Sequence, residues 1–326
     1  MKKLTSALLA LSLCLGLCAC GGNTASNNNS NSGKKYTIGI CQLIQHDALD
    51  AATKGFRDAV TAGLGEANVT FDEQNANGDS ATCSTIVGGF ATNGYDLIMA
   101  NATPALQAAV SATTTIPILG TSVTDYGEAL SMKDMDPAKG TGINVSGSSD
   151  GVEAQLYVDL LTELVPNAKK VSLLYCSAEA NSVFQADNFM AALPAGVEAS
   201  VFTFADSNDI QAVVTSAVEG ADALYIPTDN QAASNMTIIS NVCQNAKIPV
   251  ICGEENLCAN GGLATVSLSY YEIGKLCGEQ AVKILKDGAK VSEMPIAYAS
   301  DPVKKYNADY AKAIGFTVPD GYTAIG

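Results

Sequence analysis

The 326-residue chain carries 33 acidic against 18 basic side chains, a formal net charge of −15, with one arginine (Arg57) and one histidine (His46). Such a surface repels nucleic acid and other polyanions. A single histidine excludes a His-rich metal site, and a single arginine leaves no cluster for phosphate.

Lys2 and Lys3 precede an apolar run from Leu4 to Leu17 that ends in Leu17-Cys18-Ala19-Cys20-Gly21-Gly22. This has the form of a secretory signal over residues 1–19 with a bacterial lipobox, so Cys20 is expected to be the lipidated first residue. The run is too short to span a bilayer. Residues 20–35, rich in Asn, Ser and Gly, read as a flexible tether. Localisation is therefore expected to be extracytoplasmic, lipid-anchored to the bacterial cell membrane. The seven later cysteines form no C-x-x-C pair and no even framework, which reads as buried thiols.

From Tyr36 the chain alternates strand and helix. Tyr36 to Leu43 is a strand, followed by a polar loop with Gln42, Gln45, His46 and Asp47 and by Leu49, Ala52, Phe56 and Val60 at a helical period. Val69 to Asp72 predicts a strand, Ser80 to Asn93 a helix, and Asp96 to Ala100 a strand leading to Asn101-Ala102-Thr103-Pro104. There Thr103 reads as N-cap and Pro104 as the first helical residue. Ile116 to Leu119 and Thr141 to Val145 are further strands; a helix begins near Val152. Alternation of this kind predicts an α/β fold with parallel sheets flanked by helices.

The pattern then repeats. Val171 to Tyr175 mirrors the first strand, Asp222 to Ile226 with Pro227-Thr228-Asp229-Asn230 mirrors Asp96 onwards, and Ile248 to Ile251 mirrors Ile116 to Leu119. Measured from each first strand, the offsets are 60 and 80 residues in one half and 51 and 77 in the other. Two similar lobes follow, and ligands of open parallel sheets bind at the carboxyl ends of the strands.

The segments IGICQLIQHDALDAATKGFRDAV, NGYDLIMANATPALQAAV, IPILGTSVTD, ADALYIPTDNQAAS and IPVICGEENLCANGGLATVSLSYYEIG resemble the substrate-binding lipoproteins of ABC transporters with the type I periplasmic-binding fold, in particular the branch that binds tryptophan and other aromatic amino acids. The resemblance runs from about Tyr36 to Ile325, and Asp47 stands where that branch often has Pro. It implies two lobes joined by a three-segment hinge: residues 36–146 plus 270–296, and 147–269 plus 297–326. It further implies an ABC permease and its ATPase as partners, with the chain acting as a monomer.

Candidate ligand residues are the polar groups at strand ends, each with a structural rival. His46, with Gln42, either hydrogen-bonds a ligand or packs where loop meets helix. Asn101 and Thr103 lie at the next strand end, where Thr103 holds an anion or merely caps. Thr121 and Ser122 face Ser177 and Asn181 of the second lobe. Asp229 pairs with an ammonium group or caps the helix that includes Asn230, and Glu254 is the other acid at a second-lobe strand end. These loops hold no Lys, Arg or aromatic residue, which disfavours dicarboxylates and sugars and favours a neutral amino acid, its side chain against Leu43, Ile44 and Tyr126; that this amino acid is aromatic is what the resemblance implies. No Gly-rich phosphate loop and no G-x-S-x-G elbow is present, so neither enzyme activity nor a cofactor or metal is expected. The alternatives are a membrane-tethered sensor of the same fold, or a binder of another small polar ligand such as a sugar or nucleoside.

Overall fold

A computed structural model describes residues 34–299 and 302–325. The leader, Cys20 and most of the tether lie outside the described residues. Among the described residues no helix is long and apolar enough to cross a membrane, and no group of three His, Cys, Asp or Glu side chains could hold a metal ion.

The chain forms β1 (Tyr36–Gln42), α1 (Asp47–Leu64), β2 (Val69–Asn75), α2 (Ser80–Thr92), β3 (Leu97–Asn101), α3 (Thr103–Ala112), β4 (Ile118–Val123), α4 (Tyr126–Ala129) and β5 (Val145–Ser149). It continues through α5 (Ala154–Leu164), β6 (Lys170–Cys176), α6 (Ala180–Ala192), β7 (Glu198–Phe204), α7 (Ile210–Val218), β8 (Ala223–Ile226), α8 (Asn230–Ser234), α9 (Met236–Ala246), β9 (Val250–Cys252), α10 (Glu255–Ala259) and β10 (Ala264–Ser267). It closes with α11 (Tyr270–Asp287), β11 (Ala297–Tyr298), β12 (Val303–Tyr306), α12 (Ala308–Ile314) and β13 (Thr323–Ala324).

Two sheets result, in the orders β11-β5-β4-β3-β1-β2 and β13-β12-β10-β9-β8-β6-β7. All neighbours are parallel except β10 with β12. Central strands such as β3 (LIMAN) and β8 (ALYI) are buried along their whole length, as strands covered on both faces must be. Sheet membership changes at three places: after Ser149, between β10 and α11, and after Tyr298. The first and third crossings fall a few residues beyond the expected 146 and 296, because β5 and β11 pair with each other in the first sheet.

Helix α11 returns to the first lobe and lies against α1. Glycine makes that approach possible, since a Cβ on Gly274 would stand 1.8 Å from the Ala52 carbonyl oxygen, and one on Gly55 2.0 Å from that of Tyr271. The expected strand at Thr141 to Val145 begins only at Val145. Its residues, Val-Ser-Gly-Ser-Ser, have the composition of a loop, yet smallness is what the position demands. A Cβ on Gly147 would lie 1.9 Å from the Gly120 carbonyl oxygen and 2.3 Å from the Tyr126 hydroxyl.

Candidate functional site

The carboxyl ends of β1, β3, β4 and β5 face those of β6, β8 and β9, and four side-chain hydrogen bonds cross between the lobes. His46 Nε2 meets Asn230 Oδ1 at 3.1 Å, Gln231 Nε2 donates to the Gly78 carbonyl at 3.1 Å, Gln185 Nε2 donates to Thr124 Oγ1 at 3.1 Å, and Asn260 Nδ2 reaches Asp47 Oδ2 at 3.4 Å. These bonds join the two lobes across the cleft.

In the first lobe the strand ends are strained and underused. Ala102 has φ +91° and Ser122 φ +55°, left-handed values that a non-glycine residue adopts at a cost. The cap of α3 is Ala102, one residue before the expected Thr103, and has no side chain to serve. Thr103 therefore opens the helix as a buried residue whose Oγ1 has no partner; Ser122 Oγ is in the same condition. Among the described residues eight buried side-chain polar atoms lack a partner, and five belong to the residues singled out from sequence: His46 Nδ1, Asn101 Oδ1, Thr103 Oγ1, Ser122 Oγ and Asn181 Oδ1. Buried polar atoms are nearly always hydrogen-bonded, so each of these five is open to a further partner.

Other expected residues are committed elsewhere. Gln42 spends its amide on the Ile44 carbonyl, Asp50 Oδ1 and the Thr53 hydroxyl, pinning the β1 loop to α1. Asn101 Nδ2 donates to the Leu49 carbonyl and Thr53 Oγ1 beneath that helix. Thr121 Oγ1 meets Ser148 Oγ, which donates to the Ile273 carbonyl, so it looks toward α11. Ser177 is exposed, with its hydroxyl on the Phe204 carbonyl. Of the expected apolar wall, Tyr126 is tucked under the sheet with its hydroxyl on the Gly120 and Ser148 carbonyls.

The second lobe ends its strands in acids. Asp229 Oδ1 accepts from the Ala232 N–H at 2.7 Å, capping α8, while Oδ2 accepts from the Cys176 N–H and the Ser182 hydroxyl, both at 2.7 Å. Three donors hold this carboxylate, which fills the cap role named as the rival of the ammonium role. Glu179, not foreseen, is buried beside it and accepts from the N–H groups of Asn230 and Gln231 and from the side-chain amides of Asn230 and Asn181. Burial, reinforced by the Asp229 charge, pushes Glu179 up to about 8. Asn181 Nδ2 also donates to the Thr228 carbonyl at 2.9 Å, leaving its Oδ1 as the acceptor without a partner.

Two more carboxyls, Glu254 and Asp150, are buried at strand ends of the two lobes. Glu254 caps α10 through the N–H groups of Asn256 (2.6 Å) and Leu257 (2.5 Å). Burial pushes it up to about 7 against those two donors, and the Asp150 charge adds to the rise. Asp150, just past β5, accepts from Tyr270 (2.7 Å) and Thr124 (3.2 Å), and burial raises it too. Its signal was hidden because the strand before it reads as a loop. A pocket of ≈ 450 Å³ opens between the lobes, walled by Tyr157, Phe184, Tyr225 and Tyr298 with Thr124, Asp125, Glu153 and Gln185 at its polar side.

A two-lobed α/β fold whose strand-end loops close over a polar seam defines a small-molecule binding protein of the periplasmic-binding type, and the chain belongs to the ABC transporter substrate-binding protein family, whose pattern it matches over residues 37–324. It is 36% identical to a tyrosine-binding protein of Clostridioides difficile (strain R20291), over 96% of this chain and 92% of that one. It is similar, at 32% identity and TM-score 0.84, to a Streptococcus pneumonia ABC domain solved in complex with L-Trp, covering 90% of this chain and 100% of that chain. A substrate binding protein with adhesive properties from Clostridium difficile, solved ligand-free and open, is 37% identical yet superposes at a TM-score of only 0.65, over 89% of this chain and 99% of that one. The more identical chain superposes worse. That relative is the ligand-free, open one, whereas here four hydrogen bonds join the lobes.

Proposed function

We propose that the protein captures a zwitterionic aromatic amino acid, tyrosine or tryptophan, between its lobes and hands it to an ABC permease, held at the outer face of the membrane by a lipid on Cys20. The observation that carries this reading is the division of polarity across the cleft. The first lobe offers the Thr103 and Ser122 hydroxyls and the uncapped N-terminus of α3, a setting suited to a carboxylate. Across from it stand carboxyls and the Asn181 carbonyl oxygen, a setting suited to an ammonium group. The aromatic-walled pocket that takes in Thr124 and Gln185 has a volume and lining fit for a ring. Similarity to the tyrosine-binding and L-Trp-bound relatives supports the same class of ligand.

Calorimetry of the mature chain against tyrosine, tryptophan, phenylalanine, leucine, glucose and succinate is the direct test. Tyrosine or tryptophan should bind best; binding of glucose or succinate alone would remove the proposal. Loss of high-affinity uptake in a strain lacking the protein separates delivery from sensing, and palmitate-analogue labelling of wild type but not of Cys20→Ala checks the anchor.

A further inference from the structure

Each lobe leaves one buried nitrogen or oxygen unpartnered beside the same hydrogen-bonded hub, and the hub fixes what both atoms are. Its centre is Glu179, 3% exposed, whose Oε2 accepts from the Asn230 backbone N–H at 3.2 Å and from the Asn230 side-chain amide at 2.5 Å. With Nδ2 turned to a carboxyl oxygen, Asn230 presents Oδ1 on its other side, where His46 Nε2 stands 3.1 Å away across the lobes. A carbonyl oxygen only accepts, so Nε2 carries the proton and Nδ1 is left as a bare acceptor. Among the described residues no group donates to it. Burial lowers the His46 pKa against the Asn230 bond and the Asp50 and Asp47 charges, which favours the neutral ring and keeps that lone pair free.

Asn181 is set in the same way. Its Nδ2 donates to the Thr228 carbonyl at 2.9 Å and to Glu179 Oε2 at 3.3 Å, so the amide has one orientation, and Oδ1 is the acceptor without a partner on a residue 6% exposed. His46 comes from the loop after β1 in the first lobe, and Asn181 from the first turn of α6 in the second. A buried acceptor left unmade is costly. The group that completes both atoms must bring several hydrogens and turn no lone pair toward a carboxyl. An ammonium does so with three N–H donors and no acceptor, whereas a hydroxyl has one hydrogen and a carboxylate has none.

We infer that His46 Nδ1 and Asn181 Oδ1 together seat the ammonium group of the ligand, one acceptor from each lobe, with Glu179 as the positioning residue that sets both. The inference rests on the amino-acid reading of the cleft and names the atoms that hold the amine. A selection rule follows from it. A deaminated analogue of the same shape leaves both acceptors unmade, so discrimination falls on the amine. Because the two acceptors belong to different lobes, the amine also favours the arrangement in which the lobes are joined.

His46→Gln and Asn181→Leu in the full mature chain test this by calorimetry with tyrosine and with 3-(4-hydroxyphenyl)propanoate, which lacks only the amine. Gln keeps an N–H for Asn230 and has no acceptor at the Nδ1 position; Leu keeps the bulk of Asn181 without its oxygen. Each variant should lose tyrosine affinity by about tenfold or more, while its affinity for the deaminated acid changes by less than about threefold. His46 is the single histidine of the chain, so nitrogen NMR of the untagged tyrosine complex reads its tautomer directly. Nε2 should carry the proton and Nδ1 should not. In Glu179→Leu the Asn230 amide is free to turn over, so the proton should spread over both nitrogens and tyrosine affinity should fall without an equal fall for the deaminated acid. A proton on Nδ1 in the wild-type complex, or equal losses for the two ligands, would overturn the seat while leaving the amino-acid reading in place. If the wild type binds no aromatic amino acid, both fall together.

Discussion

The two lobes present the same sequence pattern at corresponding strand ends and finish it in opposite ways. Leu97 to Asn101 leads into Ala102-Thr103-Pro104, and Ala223 to Ile226 into Thr228-Asp229-Asn230. In the second lobe acids cap the helices after β8 and β9, Asp229 for α8 and Glu254 for α10. In the first lobe Asp125 likewise caps α4 after β4, but α3 starts behind Ala102 with no side-chain cap. A capped helix start hides its N–H groups, and a bare one displays them. The contrast therefore lies between β3 and β8: a donor wall at the bare start of α3, and an acceptor wall of buried acids in the second lobe, a polarity that suits a zwitterion.

The largest way to break that contrast is to remove a cap. Asp229→Ala strips a helix cap and two further hydrogen bonds to a buried carboxylate, with an expected loss of about 3 kcal/mol of stability. Thermal or urea unfolding of the ligand-free protein measures it. Unchanged stability combined with lost binding would return Asp229 to the role of ligand partner.

That reversal also shows what could be read before the structure. The strand-loop-helix alternation was legible because apolar runs and helical periods are local, and α11 was legible as a return to the first lobe through the resemblance alone. The strand-end loops were likewise visible as the polar stretches between periodic segments. Which polar group in a loop is already occupied was not legible, since it depends on neighbours far away in sequence: Gln42 is taken by Thr53, Thr121 by Ser148, and Asp229 by Cys176 and Ser182. Asp150 went unseen for a different reason. Its strand is built of Ser and Gly because Gly147 packs against the Gly120 backbone and Tyr126, a tertiary demand that looks like a loop signature in one dimension.

A second prediction uses pH to weaken only the acceptor wall. Burial pushes Glu254 up to about 7, well above the ordinary carboxyl range, against the N–H groups of Asn256 and Leu257 and with the Asp150 and Glu255 charges adding to the rise. A carboxyl raised in this way takes up a proton in the closed form at a pH where an open, solvated one stays ionised. The empty closed form therefore gains as pH falls from 8 towards 5, whereas the ammonium-bound form loses a negative charge of its acceptor wall. For unliganded protein in the closed form described here, ligand affinity should fall as pH drops through about 7, by at most about tenfold per unit for this one group. Glu254→Gln should flatten that step; an affinity constant between pH 8 and 5.5 in the wild type would contradict the assignment.

The donor wall is tested by Thr103→Val, which keeps the shape and deletes a hydroxyl that has no partner in the protein. Removal of a hydrogen-bonding group from a ligand contact costs about 1 kcal/mol, or roughly fivefold in affinity. Unfolding of the free protein should be unmoved, because nothing internal is lost. A variant that binds as well as wild type would limit Thr103 to opening α3.

The smallest effect is the most diagnostic of what the first lobe gives up to keep its strand ends polar. Ser122 holds φ +55° with its hydroxyl buried and unpartnered, two local costs at one residue. Glycine adopts that backbone without strain and carries no hydroxyl to bury. Ser122→Gly should therefore raise the stability of the free protein by about 0.5 kcal/mol, the gain being reduced by the greater freedom of the unfolded chain. It should at the same time weaken amino-acid binding several-fold. Gain in stability with loss of affinity is the signature of a residue kept for its ligand; a substitution that lowers both, or leaves binding intact, would mean that Ser122 serves the β4 turn and that the carboxylate rests on Thr103 and the start of α3 alone.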